Sequence, residues 1–71
     1  MPDAKDDLRA TSESILSDAE QLAALESRKQ SLDPEDPEVL ALSQQAEELT
    51  IRIRHQATAE REIAEEIQAT A

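Results

Sequence analysis

The sequence predicts an all-α fold: an antiparallel, coiled-coil-like two-helix hairpin that dimerises into a four-helix bundle. Three observations lead there. The chain has no glycine and no aromatic residue, whereas strands favour β-branched and aromatic side chains and tight hairpin turns favour glycine. Two of its three prolines sit in "DPEDPEV", residues 33 to 39, near the middle of the chain. On both sides of that stretch apolar residues recur in alternating three- and four-residue steps, the heptad pattern of packed helices.

The elements follow in order within one domain, 1–71. A first helix is expected over about 4–31. Asp3 can cap it by accepting from a first-turn N–H, and Asp6 and Asp7 lie near the positive end of the helix dipole. Its seam reads Leu8, Ser12, Ile15, Ala19, Leu22 and Glu26, with Leu16 and Leu25 flanking. The turn falls over about 32–36, because Pro34 disfavours the helical region for Asp33. Asp36 then serves as an N-cap and Pro37 as a first helical residue whose missing N–H costs nothing. The second helix, about 37–69, carries the longer seam: Val39, Leu42, Ala46, Leu49, Ile53, Gln56, Glu60, Ile63, Ile67 and Thr70.

Folding the chain about the turn brings Leu22 level with Ala46, Ala19 with Leu49 and Ile15 with Ile53. Large faces small in two of these layers, which lets layers interdigitate. The next layers pair Ser12 with Gln56 and Leu8 with Glu60. Ile63 and Ile67 are expected to outrun the first helix and to need a second chain. A chain of 71 residues also buries little apolar surface alone, rarely enough for more than about 3–5 kcal/mol.

Composition narrows the function. With no cysteine and one histidine, disulfides, thiolate sites and a histidine-cluster metal site are not available within one chain, and no metal or cofactor is expected. The amino-terminal stretch "MPDAKDDLRA" has neither the basic region nor the apolar run of a signal peptide. No segment approaches the roughly 20 apolar residues of a bilayer span. A cytoplasmic location is expected. The net charge of −10 argues against nucleic-acid phosphates and anionic membranes, both of which call for a basic face. It suits a partner with a basic surface.

Ser12, Gln56 and Glu60 interrupt the apolar seam. Read structurally, they form a polar layer that fixes register and oligomeric state; Glu60 would be neutralised by Arg9 or Lys5 across the hairpin. His55 lies beside the seam with no Glu-x-x-His sequence leading into it, so the di-iron bundle motif is missing. No thiol, no GxSxG and no glycine are present for nucleophilic catalysis or a phosphate cradle.

The stretch "DPEVLALSQQAEEL", residues 36 to 49, resembles the second helix of the SQELD-motif aspartyl-phosphate phosphatases that regulate sporulation. Ser43 and Gln44 match the first two motif positions. Gln45 stands for Glu, Ala46 for Leu, and Glu47 for the Asp held to matter for activity in that family. The resemblance implies a helical hairpin acting on a phosphorylated response regulator, with Ser43, Gln44 and Glu47 as its motif residues.

Three functions are therefore distinguished. The first is an acidic interaction and oligomerisation protein, a non-enzyme that forms a homodimer and binds a protein partner through its helices. The second is a phosphatase-like modulator of a response regulator. The third is an acidic inhibitor that mimics nucleic acid. The core expected for the first comprises Leu8, Ile15, Ala19, Leu22 and Leu25 with Val39, Leu42, Ala46, Leu49, Ile53, Ile63 and Ile67.

Overall fold

A computed structural model describes residues 3–71. Two helices make up the fold, α1 over Ala4–Gln30 and α2 over Pro37–Thr70. They lie side by side in a rod 53 × 17 × 14 Å. The long dimension is that of α2 itself, whose 34 residues rise about 1.5 Å each.

Three of the four helix ends are built from side chains suited to them, while the last turn of α2 carries no basic residue. Asp3 is extended, and its Oδ1 accepts from the Asp6 N–H at 2.9 Å, capping α1. At the other end the Ser31 and Leu32 N–H groups bond back to the Arg28 and Lys29 carbonyls, each at 3.1 Å. Arg28 and Lys29 also place positive charge in the last turn, where the helix dipole favours it. The connection is then a sequence of aspartate bonds. Asp33 Oδ1 accepts from the Glu35 N–H at 2.9 Å, and the Asp33 carbonyl accepts from the Asp36 N–H at 2.9 Å. Asp36 caps α2 by accepting from the Glu38 N–H at 2.9 Å, with Pro37 following it. No described residue takes a positive φ. A turn made wholly in the right-handed and extended regions needs no glycine, which is how a glycine-free chain reverses here.

The core is thin. Leu42, Ala46 and Leu49 of α2 are its buried hydrophobic side chains, and no described side chain is fully enclosed. Val39, Ile53, Gln56, Glu60, Ile63 and Ile67 continue the α2 seam half-buried, while Thr70 is exposed. On α1, Leu8, Ser12, Ile15, Leu22 and Leu25 are half-buried.

Three expectations are corrected. The seam of α1 passes through Asp18, which is buried, and Ala19 is exposed, as is Glu26. The residues that face α2 are Leu8, Ser12 and Ile15, then Asp18, Leu22, Leu25, Lys29 and Leu32. Two three-residue steps in succession, Ser12 to Ile15 to Asp18, shift the heptad phase there, the kind of insertion that locally overwinds a coiled coil.

The register is also displaced. Ser12 meets Glu60 rather than Gln56, at 2.6 Å, one helical turn further along α2. Levelling residues by their distance from the turn ignores the direction of side chains, which lean toward the amino terminus of their own helix. In an antiparallel pair, α1 side chains therefore reach away from the turn and α2 side chains reach back toward it. An α1 residue meets an α2 residue whose Cα lies further from the turn than its own.

By the same displacement, Ile63 and Ile67 do not outrun α1. Asp3, Ala4 and Lys5 lie beside Ile67, Thr70 and Ala71 at the open end of the hairpin, and both isoleucines are half-buried.

Candidate functional site

The polar residues of the seam run from the middle of the hairpin toward its open end. Arg52, Gln56 and Glu60 recur every four residues along α2, so they share one stripe of the helix. Opposite them on α1 stand Ser12, Ile15 and Asp18.

Asp18 is 7% exposed and is held from the other helix. Arg52 Nε donates to Oδ2 at 2.9 Å, and Arg52 Nη2 donates to Oδ1 at 3.1 Å. This two-pronged match of a planar guanidinium to a carboxylate is the strong form of the ion pair. The geometry of the helices explains the division of labour. The short aspartate is confined to the seam, while the arginine stem runs along the flank and leaves its side chain 56% exposed. The carboxylate loses most of its water, and the guanidinium replaces it.

One turn toward the open end, the Gln56 Oε1 is buried with no hydrogen-bond partner among the described residues. Beyond it the Ser12 hydroxyl donates to Glu60 Oε2 at 2.6 Å, a bond shortened by the charge on the acceptor. Glu60 was expected to meet Arg9 or Lys5; its bonded partner is Ser12. The displaced register accounts for this, because it carries Glu60 to the level of Ser12. Thr11 is next to this layer, but its hydroxyl donates to the Asp7 carbonyl within α1 at 2.8 Å.

The remaining residues singled out by the sequence are dispersed. His55 is exposed on the outer side of α2, in a surface groove with Arg54, Thr58, Ala59 and Glu62. Among the described residues no three His, Cys, Asp or Glu side chains are grouped to hold a metal ion. Ser43 is half-buried, and Gln44 and Glu47 are exposed on α2. Among the described residues no helix is long and apolar enough to cross a membrane.

Sequence reasoning missed Asp18 and Arg52. Asp18 stands three residues after Ile15 and four before Leu22, so only a second three-residue step in succession carries the seam through it, and strict alternation leads to Ala19 instead. Its charge also argued for the surface, and a partner on α2 removes that objection.

The chain matches nothing it was compared with. Neither the protein-family models, nor the curated proteins, nor the solved structures contain a match. The site is therefore read from its own chemistry. Arg52 Nε and Nη2 are engaged with the two carboxylate oxygens of Asp18, and Glu60 is bonded to Ser12. Polar groups committed to one another across two helices fix how the helices slide and rotate. Such groups are known to set register at some cost in stability.

Proposed function

We propose that this chain is a small acidic interaction module, a helical hairpin that forms a homodimeric four-helix bundle and binds a protein partner through its helices without catalytic chemistry. The observation that carries this reading is the incompleteness of the hairpin as a solitary unit. Only Leu42, Ala46 and Leu49 are buried hydrophobic side chains among the described residues, and the chain exposes 5467 Å². A compact monomer of 7.8 kDa exposes about 4,400 Å² by the usual scaling of area with mass. The excess, about 1,100 Å², is of the size that one partner buries in a standard stable interface, about 800 Å². Hairpins of this kind complete their core by pairing.

The charge supports the second half of the reading. Each chain carries −10, so a dimer presents twice that. A surface of this sign favours encounter with a basic protein and accelerates it at low ionic strength.

Light scattering coupled to size exclusion tests the assembly. A mass of about two chains is expected, with a fall toward one chain on dilution. A species that stays at one chain mass at every concentration, while remaining helical and melting cooperatively, overturns the reading.

A further inference from the structure

The two sides of the hairpin differ in a way that identifies the face a second copy takes. One side carries the ion pairs. Arg28 reaches Glu38 and Arg52 reaches Asp18 there, and its grooves are lined by Ser14 with Gln56 and by Gln21 with Glu48 and Arg52. The other side follows from the turn of each helix, at about 100° per residue. On α1 it presents Leu16, Ala19 and Ala23, spaced three and four apart and all exposed. On α2 it presents Ser43, Thr50 and Ala57 at heptad spacing, beside the half-buried Ile53. Exposed charges border both sets on their outer flank, Glu20 between Leu16 and Ala23 on α1 and Glu47 and Arg54 between the residues of the α2 set, so the charge-free strip is the one next to the seam. Leu16, with 63% of its surface exposed, stands in the middle.

The α1 stripe has charged ends. Continuing the same three- and four-residue steps outward from Leu16 leads through Ser12 to Arg9; continuing from Ala23 leads to Glu26. Both are exposed. Arg9 has no carboxylate partner among the described residues, and Glu26 has only the long contacts from Lys29 Nζ at 3.3 and 3.4 Å. The stripe is thus positive at one end, uncharged in the middle and negative at the other. Such a pattern is complementary to itself when reversed.

Resting on the self-association proposed above, we infer that a second copy docks on this face with its α1 running antiparallel to the first. The two-fold axis passes between Leu16 and Ala19. Leu16 of each copy then covers Ala19 of the other, Ser12 lies by Ala23, and Arg9 of each copy meets Glu26 of the other. Two-fold symmetry makes every contact occur twice. The arrangement puts the uncharged strips together and leaves most of the acidic outer surface of each copy facing away from the other. Dimerisation at −10 per chain requires that separation. A heterologous basic partner is attracted to the acidic surfaces instead, which leaves this face to the chain itself.

Charge exchange tests the arrangement in sedimentation equilibrium. Arg9→Glu alone and Glu26→Arg alone each place like charges together twice per dimer, and each is expected to weaken dimerisation about tenfold, the order for two exposed pairs lost and reversed. Arg9→Glu combined with Glu26→Arg is expected to return to within about threefold of the unaltered chain. Leu16→Glu is expected to give a monomer of unchanged helix content. Leu40→Glu, on the far side of α2 from the seam and 66% exposed, is expected to leave the dimer intact. An unaltered chain that dimerises, with a midpoint indifferent to Leu16→Glu and to both charge reversals, overturns this face while leaving the self-association standing. An unaltered chain that never dimerises overturns the self-association itself.

Discussion

Arg52 grips both carboxylate oxygens of Asp18 across the hairpin, at 2.9 and 3.1 Å, and the aspartate is the one buried polar residue of the described chain. The pair is asymmetric, because the acid is enclosed and the base is largely in water. Its two halves should therefore respond unequally to substitution.

Arg52→Met leaves a buried carboxylate without its donors. The expected loss is about 1–3 kcal/mol, the desolvation cost of an unsatisfied polar group, read as a fall in melting temperature. Asp18→Leu removes the buried charge and lets the arginine return to solvent. It is expected to be neutral or stabilising, since well-packed apolar residues often outperform buried ion pairs. Equal destabilisation by both substitutions would mean that the pair acts symmetrically, against this account.

Gln56 and Glu60 divide in the same manner. The Gln56 Oε1 is buried without a partner among the described residues, so Gln56→Leu should raise stability by about 1–2 kcal/mol. Adding Glu60→Leu removes the Ser12 bond and makes the α2 seam apolar from Val39 to Ile67. A further rise in melting temperature is expected, accompanied by mixed species in size exclusion, because nothing polar then distinguishes one register from another. A single uniform oligomer in the double variant, with its partner lost in a pull-down, would assign this layer to binding rather than register.

The turn depends on Asp36. Its side chain accepts from the Glu38 N–H at 2.9 Å and opens α2. Asp36→Ala should cost about 1 kcal/mol. Asp36→Ser should recover most of it, because the hydroxyl can accept the same bond. Chemical denaturation of the three proteins measures both effects. No loss in the alanine variant would show that Pro37 and the Arg28–Glu38 contact hold the turn without the cap.

Salt should stabilise the protein. Of the four ion pairs among the described residues, only Arg52–Asp18 involves a buried group, and exposed pairs contribute little. The net charge of −10 repels itself over distances that salt screens, about 10 Å at 0.1 M. Melting temperature is expected to rise between low salt and 0.5 M sodium chloride. A fall would mean that the attractive pairs outweigh the repulsion.

Much of this fold is legible in the residues themselves, and the reason is local. Asp3, Asp33 and Asp36 bond to N–H groups two or three residues away, so the helix ends are decided by near neighbours. The α2 seam is legible for a related reason. Its apolar residues keep one unbroken heptad from Val39 to Ile53, and a helix has only one way to turn such a stripe inward.

The phase of α1 and the register of the pair were decided by tertiary structure. The first helix carries two overlapping stripes, one through Leu8, Ile15, Leu22 and Leu25 and another through Leu16, Ala19 and Ala23. Hydropathy along the chain does not choose between them. The choice comes from Arg52, a residue 34 positions beyond Asp18, whose fork makes an aspartate acceptable in the seam and turns Ala19 outward. Register likewise depends on where side chains lean once two helices lie antiparallel, and that lean brings Ser12 to Glu60. Contacts between distant positions depend on both partners and on the angle at which they meet. The sequence holds the partners, and only the folded pair supplies the angle.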